Sequence, residues 1–196
     1  MGTKIDAVCV YCGSSDAAPK PWLGAAAMLG ASLANQGLKL VYGGGGVGLM
    51  GACARAAHDA GGRVLGVIPD FLTKVERPPL GVETEVVPTM HARKMRMFEA
   101  ADAFAVLPGA IGTLEEAIEL LSWRRLGLHD KPIVFYNPAG FWDPLLAQFD
   151  RFMLERLAPA QFAVLWSVVE DIDDIIPALR AAPGGPALSL KIEAVT

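Results

Sequence analysis

Short apolar runs alternate with longer stretches of helical period along nearly the whole of this 196-residue chain. The runs are Ile5–Tyr11, Lys39–Tyr42, Arg63–Ile68, Thr84–Val87, Ala103–Leu107, Ile133–Tyr136 and Val164–Val168. Helical patterns fall on Trp22–Gln36, Leu49–Ala60, Met90–Ala100, Thr113–Leu126, Asp143–Arg156 and Ile172–Leu179. Apolar runs this short read as strands buried on both faces, and strands that alternate with helices run parallel beneath two helical layers. The expected fold is therefore α/β, a doubly wound, mainly parallel sheet with helices on both faces. Residues 1–181 are expected to form a single domain, and 182–196, with Pro183-Gly184-Gly185-Pro186, a loosely ordered tail. Ligands of such sheets lie at the carboxyl ends of the strands.

Two glycine loops fall at those ends. Pro108 cannot donate to a ladder and stops the run Ala103–Leu107. Gly109 and Gly112 then permit close backbone approach before Leu114, Ala117, Ile118 and Leu121 repeat at helical spacing. A helix N-terminus at this point offers unpaired N–H groups and a favourable dipole to an anion such as phosphate. Thr113 and Glu116 also have the T-x-x-E spacing of a capping box, and the two readings are compatible. The second loop, Gly43-Gly44-Gly45-Gly46, follows the strand Lys39–Tyr42. Four consecutive glycines are entropically costly to order, so a pair of such loops suggests one nucleotide held from both sides.

Gly46-Val47-Gly48-Leu49-Met50-Gly51 satisfies G-x-G-x-x-G, with Asp70 near the end of the next strand, so a dinucleotide site stands as an alternative. Against it, the fingerprint follows the second strand, and the chain is short for a dinucleotide domain plus a substrate domain. No G-x-x-x-x-G-K-[ST] occurs, which argues against a P-loop kinase or NTPase. The net charge of −4 without a basic cluster argues against nucleic acid as partner. No apolar run reaches membrane-spanning length, the first residues lack a signal-peptide core, and three cysteines suit a reducing compartment, so a cytoplasmic protein is expected. Cys9-Val10-Tyr11-Cys12 lacks the second pair that a structural zinc site needs, and neither metal nor cofactor is expected.

These residues resemble the LOG family of cytokinin riboside 5′-monophosphate phosphoribohydrolases, many of which carry the label "lysine decarboxylase". The P-G-G-x-G-T-x-x-E pattern falls on Pro108–Glu116, the glycine loop on Tyr42–Gly51, the opening on Tyr11–Ser15, and M-H-x-R-K on Met90–Lys94. One departure is Ala110, where the motif has its second glycine. If that position needs a positive φ, a methyl group there costs about 1 kcal/mol.

The resemblance implies a Rossmann-like fold, a homodimer, and hydrolysis of the N-glycosidic bond of a purine nucleoside 5′-monophosphate (AMP or an N6-modified AMP) to free base and ribose 5-phosphate. Glu116 and Arg93 are the implied catalytic pair. Departure of the base leaves oxocarbenium-like charge on the ribose, which a carboxylate can stabilise, and a forked, permanently charged guanidinium can orient that carboxylate. Gly109, Gly112 and Thr113, with Gly43–Gly46, are expected to hold the phosphate, and Lys94 to help neutralise it. Ser14 and Ser15 are expected to reach ribose or phosphate, with capping of the first helix as the alternative for at least one of them, and Met90 is expected near the base.

Glu115 and Glu119 are expected on a solvated helix face. A non-catalytic nucleotide sensor remains open as a different class of function. Decarboxylation of lysine is the weakest reading, since nothing marks a Schiff-base lysine or a pyridoxal phosphate pocket.

Overall fold

The computed structural model describes residues 4–182, so the tail expected to be loosely ordered falls, from 183 onward, outside the described residues. The elements run β1 (Ala7–Tyr11), α1 (Lys20–Asn35), β2 (Lys39–Tyr42), α2 (Gly48–Asp59), β3 (Val64–Pro69), β4 (Glu83–Val87), α3 (Met90–Glu99), β5 (Ala103–Val106), α4 (Ile111–Arg125), β6 (Ile133–Tyr136), α5 (Asp143–Leu154), β7 (Ser167–Val169) and α6 (Ile175–Ala181). They build a seven-stranded sheet in the order β4-β3-β2-β1-β5-β6-β7, every neighbouring pair parallel. The fold is thus α/β and doubly wound.

Both faces of the sheet are covered because successive strand residues point to opposite sides and nearly all are apolar. Val8, Val10, Leu40, Tyr42 and Ala105 pack under α1, α2 and α6 with Leu29, Leu33, Ala54 and Leu179. Cys9, Tyr11, Val41, Phe104 and Val106 pack under α3, α4 and α5 with Met97, Leu120 and Phe149. The chain leaves β1 for β2, β3 and β4 on one side and later returns beside β1 as β5. The loops after β1 and β5 therefore diverge to opposite faces, opening a crevice at the switch point.

Several boundaries differ from expectation. Helix α1 begins at Lys20, with Pro21 in its first turn, where a missing N–H costs nothing. The run expected as a strand over Val164–Val168 is divided between a 3₁₀ turn, Ala160–Leu165, and the three-residue β7. The expected helix from Ile172 opens as a 3₁₀ turn, where Asp171 accepts from the N–H of Asp173 at 3.0 Å, and becomes α6 only at Ile175. The largest consequence for function is at α4, which starts at Ile111 rather than Thr113.

Candidate functional site

Because α4 starts at Ile111, its N-cap is Ala110 and no side chain caps it. The first intrahelical bond there is donated by Leu114 to the Ala110 carbonyl, which leaves the N–H groups of Ile111, Gly112 and Thr113 without intrahelical partners. The expected capping box is not formed: Thr113 lies in the first turn, and its hydroxyl fills the space where a side chain at Gly109 would stand. Ala110 has φ −93° and ψ −156°, extended backbone that alanine adopts freely, so the penalty considered for a missing glycine does not arise. Ala110→Gly is expected to lower stability by about 0.4–1 kcal/mol through unfolded-chain entropy, read as a small fall in Tm. Base release should change little, and a large gain in rate would show that the methyl group obstructs the seat.

The other glycine-loop helix is already occupied. Gly48, at the start of α2, donates its N–H to Asp16 Oδ1 at 2.8 Å, and Arg55 holds the Gly46 carbonyl at 2.6 Å. A carboxylate therefore sits where the pyrophosphate of a dinucleotide would bind, which removes the physical basis for that alternative.

The four glycines serve close approach instead. A side chain at Gly43 would collide with the Arg93 guanidinium, and one at Gly46 with the backbone of Arg77. Arg93 Nη2 donates to the Gly43 carbonyl at 3.1 Å.

Helix α3 delivers Arg93 to this point. Thr89 caps it, its hydroxyl accepting from the N–H of Ala92 at 3.0 Å, and Arg93 follows one turn in. The Arg93 side chain is buried, its Nη2 lies 3.9 Å from Glu116 Oε1, and among the described residues its Nε has no partner. Burial pushes the Glu116 carboxyl up to about 7, against the opposing pull of Arg93, with the charges of Glu115 and Glu119 adding to the rise. A carboxylate poised near neutrality beside a fixed cation is the arrangement found where proton or charge chemistry occurs.

These groups line one pocket of about 170 Å³ with Cys12, Gly13, Ser14, Met50, Glu76, Met90, Ala110, Gly112, Thr113 and Glu115. An adjoining, more apolar hollow of about 290 Å³, walled by Trp22, Leu49 and Phe141, shares Gly13, Ser14 and Ala110 with it.

The expected residues thus divide. Glu116, Arg93, Gly112, Thr113, Ser14 and Met90 converge on the pocket. Gly109 and Ser15 face the adjoining hollow, and the Ser15 hydroxyl accepts from Ala17. Gly43, Gly44, Gly45 and Gly46 do not line the pocket, though Gly43 positions its arginine.

Lys94 is turned away: its ammonium bridges Glu115 and, at 2.9 Å, Glu119. Burial pulls the Lys94 pKa down, but its bonds to the two carboxylates outweigh that and leave it raised. Glu115, exposed as expected of a solvated face, and Glu119, half-buried, also tie α4 to α3. Met97 and Trp123 belong to the packing, Met97 fully buried and Trp123 edge-on to Phe98. The pocket residue that the sequence did not single out is Glu76, in the irregular stretch between β3 and β4, where no periodicity or motif marks it.

Residues 50–179 match a family model described as "Possible lysine decarboxylase". The chain is also 42% identical over 188 residues to the cytokinin riboside 5′-monophosphate phosphoribohydrolase LOG of Oryza sativa subsp. japonica, covering 95% of this chain and 72% of that protein. The chain belongs to the LOG family. LOG3 of Arabidopsis thaliana, a LOG enzyme named for the same activity, is 42% identical over 154 residues, covering 78% of this chain and 72% of that protein.

Among solved structures, the molybdenum cofactor carrier protein of Chlamydomonas reinhardtii superposes with a TM-score of 0.67 at 21% identity, covering 89% of this chain and 96% of that one. The molybdenum cofactor binding protein of Rippkaea orientalis gives 0.66 at 22% identity, covering 89% and 94%. At that identity the likeness speaks for the LOG family's Rossmann-like fold alone.

Proposed function

We propose that this protein hydrolyses the N-glycosidic bond of a purine nucleoside 5′-monophosphate, AMP or an N6-modified AMP such as a cytokinin riboside 5′-monophosphate. The observation that carries this reading is the uncapped N-terminus of α4 opening into the same pocket as Glu116 and Arg93. The 5′-phosphate rests on the N–H groups of Ile111, Gly112 and Thr113, where the helix dipole favours an anion. Glu116, one turn further along α4, then faces the ribose. As the C1′–N bond breaks, its electron pair leaves with the base, and ionised Glu116 stabilises the positive charge on C1′. Water adds its oxygen to C1′, one proton goes to the departing base, and ribose 5-phosphate remains.

Lysine decarboxylation has no support from this pocket, since no lysine lines it and Lys94 is held by two carboxylates. Met50, Met90 and the adjoining hollow with Trp22 and Phe141 favour a base bearing an apolar substituent. The test is incubation with AMP and with isopentenyladenosine monophosphate, following free base by chromatography. Release from either supports the reading, with the N6-modified substrate expected to be faster. Binding of both without cleavage would support a nucleotide sensor.

A homodimer is part of the same proposal. Ile118 on α4 and Leu154 and Leu157 beyond it are exposed around an apolar hollow lined by Phe149, Phe152 and Phe162. Sedimentation at twice the 20.7 kDa chain mass is expected, and a monomer would refute it.

A further inference from the structure

Two sets of opposite charges lie side by side between α3 and α4. Neighbouring residues of a helix point about 100° apart, so Arg93 and Lys94 leave α3 in different directions, the first into the pocket and the second onto α4. Helix α4 mirrors this: Glu116 lies beside Arg93, while Glu115 and Glu119, one turn apart on a shared face, both hold the Lys94 ammonium. Only the inner pair takes part in the reaction described above. Yet the Lys94 side chain is 13% exposed, against 50% and 28% for Glu115 and Glu119, so the lysine is the group drawn in from water.

What flanks Glu116 gives this withdrawn lysine a task. Like charges one turn apart on a helix repel, and Glu115 and Glu119 sit on the same helix as the carboxyl that must ionise. The charges of both oppose that ionisation, and Lys94 favours it. With Lys94 in place the three groups carry one net negative charge; without it they carry two. The other titratable groups about Glu116 do not replace it. Arg93 on α3 already favours the anion, Glu76 brings a further carboxylate to the pocket, and burial holds Cys9, Tyr11 and Cys12 neutral.

We propose that Lys94 is a positioning residue that acts through Glu116: by engaging Glu115 and Glu119 together, it neutralises the charge flanking the catalytic carboxylate and so sets the pH at which the site becomes active. This rests on the nucleotide-hydrolase reading above. Lys94 reaches the reaction only through the field it shapes.

The test follows base release from AMP against pH with the full chain, in variants that change the net charge of the three groups. That charge is −1 in the wild type, −2 in Lys94→Met, 0 in Lys94→Met/Glu115→Gln/Glu119→Gln and +1 in Glu115→Gln/Glu119→Gln. The acid limb of kcat/KM should fall in that order of charge, highest in Lys94→Met, by about half a pH unit to one pH unit for each charge. At pH 6.5, Lys94→Met should therefore lose about three- to tenfold against the wild type, and at pH 9 almost nothing. Lys94→Arg, which keeps the charge, should leave the limb in place.

A loss in Lys94→Met that is equal at pH 6.5 and pH 9 would reduce Lys94 to a strut between helices. A raised KM for AMP with the limb unmoved would make it a phosphate contact. Either result overturns the proposal, as does a triple variant whose limb stays with that of Lys94→Met. Thermal melting of each variant separates unfolding from a displaced limb. Titration of the Glu116 carboxyl by ¹³C NMR, its signal assigned by loss in Glu116→Gln, should show the same order without turnover. Should the wild type cleave no nucleotide, the hydrolase reading fails, while that titration still decides what Lys94 does to Glu116.

Discussion

Glu116→Gln should slow base release while the protein stays folded, with kcat falling by roughly 10²–10³ and KM nearly unchanged, the signature of an interaction made mainly in the transition state. The amide keeps the shape of the side chain but cannot balance positive charge growing on C1′. The same substitution has a thermodynamic signature with a defined sign. The Glu116 carboxyl titrates at about 7 in the folded protein, against an ordinary value of 4.5. Between those values the folded chain holds a proton that the unfolded chain has released, so stability from this group falls as pH rises through the window.

A shift of that size corresponds to about 3 kcal/mol, present as a cost above pH 7 and absent below 4.5. Glutamine carries no such cost, although it leaves Arg93 without its partner at every pH. The difference in Tm, variant minus wild type, should therefore grow from pH 5 to pH 8. A difference that shrinks towards pH 8 would mean that Arg93 stabilises the anion more than burial penalises it.

What could be read from the sequence divides along physical lines. Strands such as Ala103–Val106 and Ile133–Tyr136 were legible because burial on both faces leaves an unbroken apolar run bounded by proline or glycine. The β7 strand was not, since Val164 to Trp166 is equally apolar and only the 3₁₀ turn ending at Leu165 separates it from the sheet. A helix opening after the glycine loop was legible from Pro108, Gly109 and Gly112, but T-x-x-E suggested a later start and a side-chain cap. With the helix starting at Ile111, the donors lie open.

The Gly43–Gly46 loop shows the converse. Its cost was evident, yet its purpose depends on segments distant in sequence: Arg93 entering beside Gly43, and the Arg77 backbone passing Gly46. Asp16 reaching Gly48, and Lys94 bridging Glu115 and Glu119, are pairings of the same long-range kind, carried by no local pattern.

Arg93→Met should depress base release at pH 7 by about 100-fold and move the acid limb of the pH–rate profile upward, because the charge it removes acts on Glu116 as well as on the ligand. In the wild type, kcat/KM should rise as pH passes about 7, where Glu116 ionises. Arg93 is the leading influence that pulls this carboxyl down against burial, so without it the carboxyl holds its proton to higher pH, and the nucleophilic water and departing base meet a neutral acid. The buried Gly43 carbonyl also loses its donor at 3.1 Å, which loosens the loop over which Glu76 lies. Arg93→Lys keeps the charge but not the forked reach to both Gly43 and Glu116, so it should cost about tenfold in rate with the limb nearly unmoved. If Arg93→Met instead raised KM and left the limb in place, Arg93 would be a contact to the substrate alone, and the ionisation of Glu116 would have to be supported by the bound nucleotide.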